Sequence, residues 1–203
     1  LGGLCALGFV PAMAQQEPMT NARYQQLDAQ VLWHNTENAA GLGHDRTENH
    51  GTAYFDYSYT GGDYHRVQEG TSTNRLSFFT ESHQQLSQKL YGYGKFAFNM
   101  GRTKERAWAD VMRPYNSDPY FSGSSVPGRY DMQTIQLTAG MGTTRLGHWN
   151  LGAKLDYNLG DLSRLRDPRS RAELLDYQLT PAVIYNFDAS SAHHAVGLAA
   201  WYH

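Results

Sequence analysis

From Trp149 to Gly160 apolar and polar residues alternate without a break. Trp149, Leu151, Ala153, Leu155, Tyr157 and Leu159 share one parity, and Asn150, Gly152, Lys154, Asp156, Asn158 and Gly160 share the other. Successive side chains of a β-strand point to opposite faces, so a repeat of two predicts a strand with one apolar and one wet face. The repeat returns along the chain. Residues 51–62 set Ala53, Phe55, Tyr57 and Tyr59 against Thr52, Tyr54, Asp56, Ser58 and Thr60. Residues 73–82 set Leu76 and Phe78 against Ser77, Phe79 and Glu81, and residues 89–100 set Leu90, Phe96, Phe98 and Met100 against Tyr91, Tyr93, Lys95 and Asn99. Residues 130–142 set Ile135, Leu137, Ala139 and Met141 against Thr134, Gln136 and Thr138. With 175–187, where Tyr177, Leu179, Pro181, Val183, Tyr185 and Phe187 share the apolar side, and 194–202, seven strands are predicted. Pro181 removes a ladder donor and predicts a bulge. Ahead of the strands, Tyr24, Leu27, Val31 and Leu32 mark a short amphipathic helix over 24–32.

The wet face carries small and polar groups instead of the long charged chains usual on a soluble sheet, and aromatics flank the apolar side. An apolar band with interfacial aromatics outside and polar groups inside is the pattern of transmembrane β-barrel strands. Lys95 sits mid-strand, and a charge facing lipid near the bilayer midplane costs roughly 2–4 kcal/mol. It is therefore assigned to the lumen, and by the same parity so are Asn99, Asn150, Lys154, Asp156 and Asn158. Connections read as long after the first, third and fifth strands and short after the others. Outer-membrane barrels place long loops outside the cell, so the first strand runs outward. Seven is odd, and single-chain bacterial barrels have an even number of at least eight. The expectation is the N-terminal portion of a barrel.

Composition adds a compartment. Leu1 to Val10 is apolar and uncharged, and Pro11-Ala12-Met13-Ala14 follows, the pattern of a secretory leader and its cleavage site. Cys5, the only cysteine, lies inside it after Leu4, which does not suit a lipidation signal, so the exported chain has no disulfide. Tyr 14, Phe 8 and Trp 4 beside Gly 20 favour short strands and turns. A net charge of −2 gives no electrostatic reason to expect nucleic acid. No apolar run is long enough for a transmembrane helix.

Candidate chemistry is sparse. Arg164, Arg166, Arg169 and Arg171 crowd one expected loop, 161–174, with Asp161, Asp167, Glu173 and Asp176 nearby. Guanidinium groups bind phosphate and carboxylate oxygens bidentately, so the cluster is a candidate ligand site. A self-satisfied network ordering the loop is the alternative. Local acids leave at least one arginine over, for an anionic ligand or for lipopolysaccharide phosphates. The histidines are scattered, and neighbours such as His193 and His194 point to opposite faces, so no metal is expected. No Gly-x-Ser-x-Gly elbow is present. Neither a cofactor nor an enzymatic activity is expected.

Two resemblances follow. Asn38-Ala39-Ala40-Gly41-Leu42 resembles the element that precedes the first strand in fatty-acid-transporter-like outer-membrane proteins, where it belongs to a plug in the lumen. The strands, with 66–70, 115–120 and 161–171, resemble an uncharacterised domain-of-unknown-function family of Gram-negative outer-membrane β-barrels, over Trp33 to the end. The resemblance implies fold and an outer-membrane location and supplies no activity. The expected fold class is thus all-β: an antiparallel transmembrane β-barrel of about seven strands behind a short helical plug-like segment. Residues 1–14 are read as leader, 15–50 as periplasmic or plug segment and 51–203 as partial barrel. The expected function is a passage or receptor for a small, anionic ligand. The alternative is a non-conducting subunit that docks an envelope protein partner through its long loops. Outer-membrane lipid and lipopolysaccharide are expected partners in either case.

Overall fold

The computed structural model describes residues 33, 36, 38–45, 49–113, 122–167, 169–187 and 195–203. The leader expected over 1–14, the helix expected over 24–32 and the pair His193-His194 lie outside the described residues. A short helix, α1 (Ala40–Asp45), precedes seven strands: β1 (His50–Gly61), β2 (Ser72–Ser87), β3 (Leu90–Arg106), β4 (Gly128–Thr143), β5 (Trp149–Arg164), β6 (Arg171–Asn186) and β7 (Ala195–Ala199). Each pairs antiparallel with its chain neighbours, giving one sheet ordered β1 to β7. The all-β expectation therefore holds. The sheet is open, as a partial barrel would be: β1 and β7 are its edges, and they do not pair with each other.

Register turns the parity of single strands into continuous rows. Phe55, Phe78, Phe98, Ile135, Leu159 and Leu175 stand opposite one another in turn across six strands. On the other face the corresponding row is Thr52, Glu81, Lys95, Thr138, Asp156 and Gln178. Phe55, Leu155, Leu175 and Leu179 remain 54%, 40%, 62% and 46% exposed, whereas Asn150, Lys154 and Asn186 on the polar face are 1%, 6% and 1% exposed. Burial is thus the reverse of a water-soluble sheet, where the apolar face is covered.

The strands run further than the alternation predicts. β3 continues from Met100 to Arg106, and β5 and β6 extend to Arg164 and from Arg171, so the expected loop 161–174 is mostly ladder and the connection shrinks to 165–170. In the β3 extension both faces are polar, and in those of β5 and β6 the apolar residues Leu162, Ala172 and Leu174 take the opposite parity, so the hydrophobic repeat breaks while pairing persists, as in Arg102↔Asp131 and Asp161↔Glu173. The connection after β5 is then shorter than the one after β6, 187–194, so long connections follow only β1 (62–71) and β3 (107–127). We call that end the loop rim and the opposite end the turn rim. At the turn rim β4 and β5 are joined by a tight hairpin, closed by hydrogen bonds between Leu146 and Trp149, in which Gly147 takes a φ of 68°.

The bulge expected at Pro181 is absent, since β5 and β6 stay in register through Ala153↔Pro181. The Pro181 carbonyl accepts from the Ala200 amide, so its nitrogen faces β7 as well, and that ladder ends at Ala182↔Ala199. The missing donor thus interrupts the ladder to the edge strand β7 and leaves the β5–β6 ladder intact. Strand seven is shorter than expected for the same reason, and resumes only as the isolated Leu179↔Tyr202 bridge.

The core lies on the polar face at the turn rim, where Trp33, Ala39, Ala40 and Leu42 pack on Tyr91, Ala182 and Ile184. Asn38 starts this segment: its Oδ1 accepts from the Ala40 amide at 3.0 Å and its Nδ2 donates to the Leu198 carbonyl at 3.4 Å. A helix of only six residues cannot hold itself by its own hydrogen bonds, so the sheet must hold it. Gly142 and Gly152 make room, because a Cβ on either would collide with the backbone of Ala39 or Ala40.

Candidate functional site

Period-two pairing over β2 to β6 brings polar side chains from five strands onto the α1-bearing face, where they line a cavity of about 480 Å³. Trp33 closes one side, its ring 5.1 Å from that of Tyr93. Charges of both signs form the wall: Glu81, Asp156 and Asp176 with Lys95 and Lys154. Lys154 Nζ lies 3.0 Å from Asp156 Oδ2, and Thr138 Oγ1 donates to Asp156 Oδ1 at 2.7 Å. Lys154 tolerates its burial because this carboxylate is two residues along the same face of the strand. Tyr93 donates to Glu81 Oε2 at 3.3 Å, and the Lys95 ammonium sits 5.4 Å from the centre of the Phe79 ring. Such a wall offers donors and acceptors together, and suits a small polar solute better than an apolar one.

All six residues assigned to the interior lie on this face, but they do different things. Lys95, Lys154, Asp156 and Asn158 line the cavity, and Asn99, donating to Thr134 at 3.3 Å, borders a neighbouring one of about 360 Å³. Asn150 is a structural latch. It donates to the Thr143 carbonyl at 3.0 Å and accepts from Asn186 at 2.8 Å, tying three strands together at the turn rim.

The four arginines do not converge on one site. Arg164 is 2% exposed, on the polar face. It donates to the Val126 carbonyl at 2.5 Å, lies 3.7 Å from Asp110 Oδ2, and passes over Gly128, where any Cβ would crowd its Nε. Its guanidinium and that of Arg106 lie 5.8 and 5.1 Å from the centre of the Tyr130 ring. Tyr130 donates in turn to Asp110. This cluster clasps the 107–127 connection onto the sheet beyond the apolar band. Burial first, then the bond to Asp110 and that carboxylate's charge, push the Tyr130 hydroxyl up to about 12, so it remains a neutral donor near pH 7. Arg166 donates to the Pro127 carbonyl at 2.9 Å, exposed Arg169 lies 3.5 Å from Asp167, and Arg171 pairs with Asp161 and Glu173 at 2.5 and 3.2 Å on the opposite face. Arg106, Asp110 and Tyr130 were not singled out by the sequence. Continuing the parity of β5 from Gly160 past Leu162 places Arg164 inside and is the signal that leads to them.

A third cavity, about 590 Å³, opens at the loop rim beside this clasp and is bordered by Arg75, Arg106, Tyr130 and the threonines 60, 73 and 103. Among the described residues no group of three or more His, Cys, Asp or Glu is placed to hold a metal ion. No helix among them is long and apolar enough to cross a membrane, which leaves crossing by strands open. A family model described as a family of unknown function (DUF6850) matches residues 39–203. No curated protein and no solved structure matches the chain.

Proposed function

The chain belongs to DUF6850, and since that membership carries no activity with it, we propose from the two faces of the sheet that it forms the wall of an outer-membrane β-barrel serving as a passage or receptor for a small polar ligand. The observation that carries this reading is the reversal of burial: the apolar rows are exposed and the charged rows are sheltered. Exposed apolar patches of this extent mark surfaces that meet lipid or another protein. The dimensions favour lipid. Trp149 to Leu159 covers roughly 34 Å of strand at ~3.4 Å per residue, or about 24 Å of depth at a tilt of ~45°, close to the ~25 Å apolar band of such barrels. Aromatics end the band at the turn rim, where Trp149 and Tyr185 meet edge-on at 4.7 Å and Tyr185 meets Phe187 at 5.3 Å. At the loop rim it ends in ion pairs, Arg102 with Asp131 and Arg171 with Asp161.

Trp33 and α1 cover the turn-rim end of the polar face, which favours a ligand held in the cavity over an open pore. The mixed charges of that cavity favour a polar solute over a fatty acid, so the resemblance of Asn38–Leu42 to a fatty-acid transporter is not extended to cargo. The test is to fractionate cells and to reconstitute the purified protein in liposomes. Recovery in the outer membrane, with solute-dependent uptake or conductance weakened by Asp156→Asn, is the expected result. A protein that stays in the soluble fraction would overturn the reading. Membrane recovery without any flux, together with a stoichiometric co-purifying protein, would support a docking subunit instead.

A further inference from the structure

Beyond the apolar band, at the loop rim, the apolar face of the sheet gives way to charges of both signs. By strand parity Arg102 and Lys104 of β3 continue the face that carries Phe96, Phe98 and Met100, and Arg129 continues that of Ile135 in β4. Thr103 stands opposite Tyr130 and, past a bulge, Arg106 stands opposite Gly128, so Lys104 and Glu105 occupy the bulge across from Arg129 on the adjacent strand. One row nearer the band, Arg102 is neutralised by Asp131 at 2.7 Å. Lys104 and Arg129 are exposed, and among the described residues neither side chain has a hydrogen-bond or ion-pair partner. Glu105, exposed in the same bulge, pairs with neither. Like charges across a ladder are unfavourable, and an anion between them relieves the repulsion.

We infer that Lys104 and Arg129 form a docking point for the phosphate of an anionic lipid headgroup. The inference rests on the reading that the apolar face meets lipid. Lys104 lies roughly 13 Å along the strand beyond Met100, or about 9 Å in depth at a ~45° tilt. The headgroup layer extends about 5–8 Å past the hydrocarbon on each side, and lysine and arginine stems reach back over such distances. The Arg102 row falls inside that layer already neutralised, so the two cations above it are the ones left for phosphate. Phe98 and Met100 directly beneath are where acyl chains of the same lipid lie, which favours a phosphate carried on lipid over a free ion.

The test reconstitutes the full chain into vesicles of phosphatidylcholine and of phosphatidylcholine mixed with phosphatidylglycerol, then measures by mass spectrometry which lipids stay bound on gentle extraction. Phosphatidylglycerol is expected to be enriched over its share of the vesicle, and the enrichment to fall in high salt. Removing each cation weakens it roughly fivefold, so Lys104→Ala with Arg129→Ala abolishes most of it. Lys104→Arg with Arg129→Lys keeps both charges and retains it, as does Arg166→Ala at the hairpin tip. Insertion without headgroup preference, or a preference that survives the double alanine variant, overturns the docking point alone. Failure to insert into either vesicle overturns the lipid-facing reading and the docking point with it.

Discussion

The two faces of one sheet differ more than two proteins often do. Along β5, Leu151 and Leu155 are 48% and 40% exposed while Asn150 and Lys154, their immediate neighbours, are 1% and 6% exposed. In water this arrangement wastes the hydrophobic effect, because burying apolar area is worth about 25 cal/mol per Å² and here the polar side is the one covered. In lipid the same arrangement is stable, since the apolar face has its solvent and the polar face has its cavity and α1. What the difference teaches, on the proposed lipid-facing reading, is that the sequence is matched to two environments separated by the thickness of a single sheet. The substitutions that test this move charge off one face or onto the other.

The largest effect is expected from Arg164→Ala on the sheltered face. It leaves Asp110 buried without its cation and releases the Val126 carbonyl, and breaking a buried pair from one side costs roughly 3–5 kcal/mol. Urea unfolding should show the loss, with new proteolysis in 107–127. Next comes Leu155→Arg, which puts a charge on the exposed apolar face. In lipid vesicles it should cost about 2–4 kcal/mol, whereas Gln178→Arg on the polar face should cost under about 1 kcal/mol. Equal costs for the two would break the comparison. Gly152→Val should then drive Ala39 and Ala40 off the sheet, losing roughly 1–3 kcal/mol. Quenching of Trp33 by a water-soluble agent should increase. The smallest effect is Arg166→Ala with Arg169→Ala at the exposed hairpin tip, within about 0.5 kcal/mol in the same unfolding assay.

Much of the sheet was legible because alternation reports faces directly. Strand order and the sides taken by Phe55, Phe98, Lys95 and Asp156 follow from counting by twos. Strand ends were not legible. A hydrophobic repeat exists only where one face is apolar, and past Met100 both faces carry charge, so 101–106 and 161–174 read as loop although the ladder runs on. The separate placement of the arginines was not legible for a related reason. Proximity in sequence suggested one cluster, but Arg164 and Arg171 are at the ends of two strands, one facing the covered side and the other the exposed side. Burial of Arg164 depends on Gly128 and on the carbonyl of Val126, contacts across a connection that no local pattern reports. The cavity was half legible: parity places Lys95 and Asp156, while the contribution of Trp33 depends on where α1 docks.

The most direct measurement places single cysteines at 151, 153 and 155 through 159, in a background with Cys5, the chain's only cysteine, replaced by serine. Each carries a fluorophore, and the protein is reconstituted in vesicles. If the apolar face meets lipid, a quencher on the acyl chains should dim labels at 151, 153, 155, 157 and 159, and a water-soluble quencher should dim those at 156 and 158. Quenching from water at both parities, or from lipid at neither, would contradict the account.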